Sequence, residues 1–317
     1  MRSNASLRIM PLFNSFLSIL LVVLAFLPFF PPSFAAYFYW LSILAWPLVF
    51  VSTISFFLTL RKHLFSSSLL FCTILLNIGW MRYYLPLSPK DSGGVKILSA
   101  NVNNFGTKSQ GYAILRSEAN LITAFTPDII CLQERPHTNV ISCDSVIRSF
   151  RDYPYNVVNS REDEVLNLAV FSKYALSSKR DVCFAGSFNK YLQVDVNVDG
   201  RLLRIFNVHL ETTGGRLSSL FLHAKRRNRQ VLQLLSDVEH SPYPVLVCGD
   251  FNDIKSSYAY RRLARSLSAV NGFFPTYKVW PFMIDHFLAT PSLRVSSPQM
   301  IRSFYSDHNY QTVTLSF

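Results

Sequence analysis

The chain has 317 residues, too long for one small domain and long enough for a membrane-embedded segment plus a complete folded domain. Its net charge of +12 suits an anionic partner, such as phospholipid headgroups or nucleic acid, without choosing between them. Five cysteines occur, and no close Cys/His spacing points to zinc.

Residues 9–60 contain no Asp, Glu, Lys, Arg or His, and neither do residues 64–81. A membrane-spanning helix needs roughly 20 largely apolar residues. Pro28, Pro31 and Pro32 interrupt the first run. The pattern therefore predicts three transmembrane helices at about 11–30, 37–60 and 64–82, an anchor occupying residues 1–84. Tyr37, Tyr39, Trp40, Trp80, Tyr83 and Tyr84 stand where interfacial aromatic belts are expected. Arg2 and Arg8 ahead of an apolar core also match a cleaved signal peptide. The two apolar segments that follow, and the lack of a small-x-small site, favour an uncleaved anchor in a plasma or inner membrane. Arg2, Arg8, Arg61 and Lys62 place the N-terminus and the second loop in the cytoplasm, so three crossings put the rest outside. Arg82, Lys90 and Lys96 argue the other way.

Residues 85–94 form a linker rich in Pro, Ser and Gly. Beyond it, apolar strand candidates fall at 95–99, 129–132, 168–171, 192–198, 203–208, 245–248, 284–289 and 312–317. Helical patterns occupy about 111–126, 217–239 and 257–267. This alternation implies a layered α/β domain over 95–317. That domain keeps most of the basic charge, since residues 1–94 hold six of the 31 Lys and Arg and one of the 19 Asp and Glu. Cys131 and Cys248 lie in apolar strands as buried thiols, Cys72 in a membrane helix. Cys143 and Cys183 can pair if the domain is outside.

Polar residues sit at the ends of the apolar strands. Asn101 and Asn103 follow the first, Gln133 and Glu134 the second. His209 follows Phe-Asn-Val, and Asp250 and Asn252 follow Val-Leu-Val-Cys-Gly. Asp285 interrupts Met-Ile-Asp-His-Phe-Leu, and Asp307 and His308 precede the last strand. In a layered sheet such ends converge on one crevice. A lone carboxylate is usually a solvated surface charge, a lone histidine a core residue, and Gly-Asp-Phe-Asn a turn; the joint pattern is hard to explain by packing. Glu162, Asp163 and Glu164 have the look of a solvated acidic run. Lys225, Arg226, Arg227 and Arg229 form a basic helix face, either solvated or attracted to an anionic surface.

The segments LSANVNNF (98–105), PDIICLQE (127–134), NLAVFSKYAL (167–176), FNVHLET (206–212), CGDFND (248–253), IDHFL (284–288) and SDHN (306–309) resemble the endonuclease/exonuclease/phosphatase family in order and spacing. The resemblance covers about 95–317. It implies a four-layer α/β sandwich, two packed β-sheets flanked by helices, and a Mg²⁺-dependent phosphoester hydrolase, with Mn²⁺ as a substitute. By the same resemblance Glu134, Asp307 and Asn101 belong to the metal site. Asn101, Asn252 and His209 contact the substrate phosphate. Asp250 and Asn252 activate the attacking water, and His308 with its partner Asp285 stands at the reaction centre. Arg227 and Gln230 match a helix where such residues support the fold. Asn103, Gln133 and Glu211 have weaker claims.

The chemistry stands by itself. A hard cation prefers carboxylate oxygen and neutralises phosphoryl charge. Amides contact phosphate without adding negative charge, and an imidazole held by aspartate carries a raised pKa. Either Asp250 or His308 can serve as base. Met283, Asn309-Tyr310-Gln311 and 253–257 depart from the common family pattern and leave open whether the substrate is a phospholipid headgroup, nucleic acid or a soluble phosphoester. An inert binding domain would have lost a key carboxylate or histidine, and none is lost. A transporter would need polar path residues that 9–60 lacks.

Overall fold

The computed structural model describes residues 3–31, 41, 44–81, 93–106, 110–136, 140–158, 166–212, 217–270, 275–279 and 282–317. Three apolar helices come first: α1 (Ser3–Phe26), α2 (Ala45–Thr59) and α3 (Leu64–Met81). Pro28 falls in a single 3-10 turn, Leu27–Phe29, which ends α1 short of the expected residue 30.

By length and composition one of them, at Ile9–Phe26, is able to cross a membrane, a test that an anchor and a signal sequence pass alike. The apolar parts of the others, Pro47–Thr59 and Leu64–Ile78, are shorter. Among the described residues this corrects the expectation of three transmembrane helices to one. The physical reason is length: α2 has 15 residues, about 22 Å of helix, against a hydrocarbon layer of about 30 Å. Most of the aromatic belt and of the linker lies outside the described residues, as does the acidic run at 162–164.

The three helices pack with their polar side chains inward. The Asn14 side-chain amide donates to Thr59 Oγ1 at 2.8 Å, and the Ser55 hydroxyl donates to Asn14 Oδ1 at 2.6 Å. Thr59 and Ser67 share a 2.8 Å bond, and Asn77 Nδ2 reaches Leu21 O at 3.1 Å. Leu12, Ile19, Phe57, Leu58 and Phe65 face outward and are exposed. The bundle interior thus mixes these polar groups with a small apolar core of Leu17, Leu21, Val49, Leu70 and Ile74, and its outer face is apolar.

The remainder is a sandwich of two six-stranded mixed sheets. In chain order its elements are β1 (Val95–Asn101), α4 (Gly111–Ala124), β2 (Ile129–Arg135), α5 (Cys143–Ser149), β3 (Tyr155–Val158), β4 (Asn167–Ser172), β5 (Leu176–Cys183), β6 (Lys190–Val198), β7 (Arg201–His209), α6 (Leu217–Glu239), β8 (Val245–Asp250), α7 (Tyr258–Ser266), β9 (Ser268–Ala269), β10 (Asp285–Ala289), β11 (Arg294–Ile301) and β12 (Tyr310–Ser316). The sheet orders are β11-β12-β1-β2-β4-β3 and β5-β6-β7-β8-β10-β9. Each sheet has one parallel pair near its centre, β1 with β2 and β7 with β8.

The layers follow from alternation along the strands. Ile97, Ile129, Cys131, Leu192, Val194, Ile205, Leu246 and Cys248 point between the sheets into the central core. The alternate residues of the first sheet, such as Leu98, Ile130 and Leu132, meet Ile114, Leu115 and Ile122 of α4. Those of the second, such as Phe206, Val208 and Val247, meet Val231 and Leu234 of α6 and Leu263 of α7. Both faces of these strands are therefore dry, which is why they read as continuous apolar runs. Ser257 caps α7 by accepting from Tyr260 N at 3.1 Å. None of the five cysteines is in a disulfide, so the Cys143–Cys183 pairing left open above is not formed.

Candidate active site

Strand register brings the polar residues to one edge. In the parallel pair β7–β8, His209 stands beside Asp250; in the antiparallel pair β8–β10, Asp250 stands opposite Asp285. In the other sheet Asn101 stands beside Gln133 at the end of β1 and β2. Glu134 follows in a bulge, where the β2–β4 register shifts between Leu132 and Arg135, with φ 51°. The bulge re-aims a side chain that a regular strand would send elsewhere. Gly249 has φ 132°, and a Cβ there would lie 2.1 Å from Val208 O, so only glycine lets β7 and β8 deliver His209 and Asp250 side by side.

The resulting constellation is tight. Asn101 Nδ2 donates to Glu134 Oε1 at 3.0 Å and to Asp250 Oδ2 at 3.0 Å. His209 Nε2 lies 3.1 Å from Glu134 Oε1 and 3.6 Å from Asp250 Oδ2. His308 Nε2 lies 3.8 Å from the same Asp250 oxygen, and its Nδ1 lies 2.9 Å from Asp285 Oδ2. Glu134, His209 and Asp250 can share one ion, and so can Asp250, Asp285 and His308, within 4.8 Å in each group. Asp250 belongs to both.

Charge is distributed unevenly. Burial raises Glu134, but the hydrogen bond and positive charge of His209, with help from Asn101 and His308, hold its carboxyl down at about 2. Asp250 goes the other way, up to about 6, because burial and the neighbouring Asp285 and Glu134 charges outweigh the two histidines. Burial alone would neutralise His308, yet Asp285 and Asp250 push it up to about 10. His209 is likewise raised, against its burial, by Glu134 and Asp250.

The structure thus brings Asn101, Glu134, His209, Asp250, Asp285 and His308 together. Asn252 sits at the rim, with φ 49°. Its backbone N–H donates to Asp250 Oδ1 at 2.7 Å, and its side-chain amide donates to Leu210 O at 3.0 Å. Asp307 is half-buried beside His308 and enters neither ion-holding group; its carbonyl accepts from Lys278 N at 2.9 Å. Asn103 contributes its backbone N–H, which donates to Asn101 Oδ1 at 3.0 Å and turns the Asn101 amide toward the carboxylates. Gln133 lies beneath the site, donating to Asn207 Oδ1 at 2.7 Å across the two sheets. Glu211 is held by His223, Ser187 and Arg226. Arg227 is buried against Asp253 at 2.9 Å, and Gln230 accepts from Glu211 N at 2.7 Å, so that part of the α6 basic cluster serves the fold.

Sequence reasoning missed three supports. Asn189 Nδ2 lies 2.9 Å from His209 Nδ1 and fixes that ring. The Tyr277 ring packs 5.4 Å from the His308 ring. The Ser306 hydroxyl donates to Asn101 O at 2.7 Å and accepts from His308 N at 3.0 Å, tying the first motif to the last. Of these only Ser306 carried a signal, its place in Ser-Asp-His.

Carboxylate oxygens, one of them held ionised well below neutrality, are donors fit for a hard divalent cation. Residues 98–308 match the model of the Endonuclease/Exonuclease/phosphatase family. No curated protein sequence matches. Among solved structures, truncated TDP2 from Caenorhabditis elegans is similar, with TM-score 0.55 and 17% identity over 70% of this chain and 96% of that one. Sphingomyelinase C from Streptomyces griseocarneus gives 0.54 and 19% over 70% and 99%. The human Nocturnin catalytic domain with bound sulfate anion gives 0.54 and 17% over 75% and 97%. At these identities the likeness concerns the fold.

Proposed function

The chain belongs to the endonuclease/exonuclease/phosphatase family, whose members are divalent-metal-dependent phosphoester hydrolases, and from that premise we propose that it is a Mg²⁺-dependent hydrolase of phosphoesters held at a membrane. The observation that carries the reading is Asp250 shared between two histidine–carboxylate groups at one sandwich edge. Glu134, with Asn101 and Asp307 nearby, would hold the ion, Mn²⁺ serving in its place. When bound, the cation offsets the negative charge of the phosphate and acidifies water.

The protein groups divide the remaining work. His308, kept cationic by Asp285, donates from Nε2 to a phosphoryl oxygen and stabilises the charge of the transition state. Being protonated at neutral pH, it is a poor base. Asp250, with a pKa near 6, is ionised at neutrality and basic enough to accept the proton of the attacking water. The water oxygen bonds to phosphorus as the bond to the leaving alcohol breaks. Asn252 and His209 border the phosphate.

We assign residues 1–84 to the anchor, 85–94 to a linker and 95–317 to the catalytic domain. The apolar outer face of the bundle and its buried polar groups support a lipid environment around α1, since a bundle in water would turn polar groups outward. Arg2 and Arg8 support a cytoplasmic N-terminus and an extracytoplasmic sandwich; one crossing by α1 and the three crossings first expected lead to the same side.

The test is turnover of bis-p-nitrophenyl phosphate by the full chain in detergent with Mg²⁺, Mn²⁺ or EDTA. EDTA, Glu134→Ala and His308→Ala are each expected to abolish it. Turnover that survives them places the chemistry elsewhere.

A further inference from the structure

Apolar side chains on the sandwich are most exposed at the rim of the active site. Among the described residues after the linker, the three most exposed large ones are Phe304 at 78%, Phe188 at 66% and Val279 at 65%. Each lies on a loop that also serves the site. Phe188 precedes Asn189, which holds His209. Val279 follows Tyr277, which packs on His308. Phe304 and the exposed Tyr305 precede Asp307 and His308.

These side chains are held out, not merely left out. The buried Glu118 carboxylate of α4 accepts from Ser303 Oγ at 3.2 Å, Phe304 N at 3.4 Å and Tyr305 N at 3.3 Å, and from the Tyr310 hydroxyl. Lys278 Nζ donates to Ser303 O at 2.6 Å and joins the Val279 loop to the Phe304 loop. Burying a carboxylate is costly unless its oxygens are satisfied. Here the satisfied carboxylate fixes the backbone of a loop whose two aromatic side chains stand in solvent. Large exposed apolar clusters mark an interaction surface.

A second set of contacts says what covers it. Leu27, in the turn that ends α1, packs against Tyr258, and Phe29 lies under the Arg261 guanidinium at 5.1 Å. Tyr258 opens α7, which starts from the Ser257 cap a few residues beyond Asp250 and Asp253. The apolar bundle therefore meets the sandwich at the edge that carries the site, not at the opposite one. Arg262, which donates to the Tyr258 hydroxyl at 3.3 Å, and the exposed Arg302, two residues before Phe304, suit anionic headgroups.

We infer that Phe188, Val279, Phe304 and Tyr305 form a collar that enters the headgroup layer of the membrane holding α1, and that the substrate is the phosphoester of a phospholipid headgroup. The inference rests on the hydrolase reading above and adds its substrate class. Anchor and collar then present one lipid surface to the cleft, and substrate reaches Asp250 and His308 without leaving the bilayer surface.

The experiment uses the full chain. In nanodiscs of phosphatidylcholine and phosphatidylglycerol, Phe304→Trp adds fluorescence over the unchanged protein, and brominated acyl chains are expected to quench that addition. An unquenched Trp signal overturns the collar whatever the activity. In mixed micelles of the same lipids, Phe304→Ser with Tyr305→Ser is expected to lower the ratio of lipid to bis-p-nitrophenyl phosphate turnover at least tenfold. A ratio left unchanged, or a fall confined to a single-stranded DNA oligonucleotide on which the rings would stack bases, overturns the substrate class. Failure of the unchanged protein on every phosphoester and metal would instead sink the hydrolase reading, and the quenching result would still stand or fall alone.

Discussion

Asp250 is the residue on which the site turns, because its carboxylate lies within 4.8 Å of the ligand atoms of both histidines and of Glu134 and Asp285. Its folded pKa of about 6 lies above the ordinary aspartate value, so it loses its charge as pH falls through 6, not 4. If it is the base, kcat/KM has an acid limb with a midpoint near 6, falling about tenfold per pH unit below it. Asp285 is among the causes of that rise. Asp285→Asn therefore moves the limb to lower pH while cutting kcat about 10²–10⁴-fold, because His308 loses its orienting partner. A pH–rate series on both proteins checks this. A limb that stays at the same pH in the variant removes Asp250 from the role of base.

At the scale of elements, the loop after β8 is pinned to α6 by a buried ion pair. Arg227 Nε reaches Asp253 Oδ2 at 2.9 Å, and the other end of the guanidinium donates to Glu211 O at 2.8 Å. Removing one partner of a buried pair strands the other charge, at about 3–5 kcal/mol. Arg227→Ala is expected to cost that much in denaturant unfolding, and Asp253→Asn in the same chain to return part of it. A loss under about 1 kcal/mol would show that solvent reaches Asp253 and that the pair does not hold the loop. The same dependence explains the edge elements. β5, with Ser-Ser-Lys-Arg-Asp in its middle, and β3 and β11 are strands because a neighbour pairs with them, not because of their own pattern.

The whole molecule carries a built-in sensitivity to acid. His286 is buried between Phe251 and Tyr260, at ring separations of 5.3 and 4.6 Å, and burial with the nearby Lys255 pushes it down to about 3. The unfolded histidine titrates near 6.5, so between 6.5 and 3 the unfolded chain binds the extra proton. Stability therefore falls as pH drops through that window, by up to about 1.4 kcal/mol per unit from this group. His286→Gln is expected to flatten the decline in denaturation midpoint between pH 6.5 and 4; a slope identical to the parent's would show that His286 is not its source. The topology is tested at this scale too. A reporter fused after residue 317 is expected to give an extracytoplasmic signal, and a cytoplasmic one reverses the orientation.

What the sequence determined by itself was the alternation of apolar strands and helices and the polar residues that break it. Ile129–Arg135 and Val245–Asp250 are legible because a strand buried on both faces must be apolar until it reaches the edge, so Glu134 and Asp250 stand out where the run ends. The three N-terminal apolar stretches were legible as helices, yet how many of them can span a bilayer depends on where each helix begins and stops. Tertiary structure alone decided that Asn189 would hold His209, that Tyr277 would cover His308 and that Ser306 would bond to Asn101, since those contacts join strands and loops far apart in the chain. It also decided that Asp250 sits between two histidines. Local pattern records how much water each side chain escapes; it carries no record of which distant side chain it then meets.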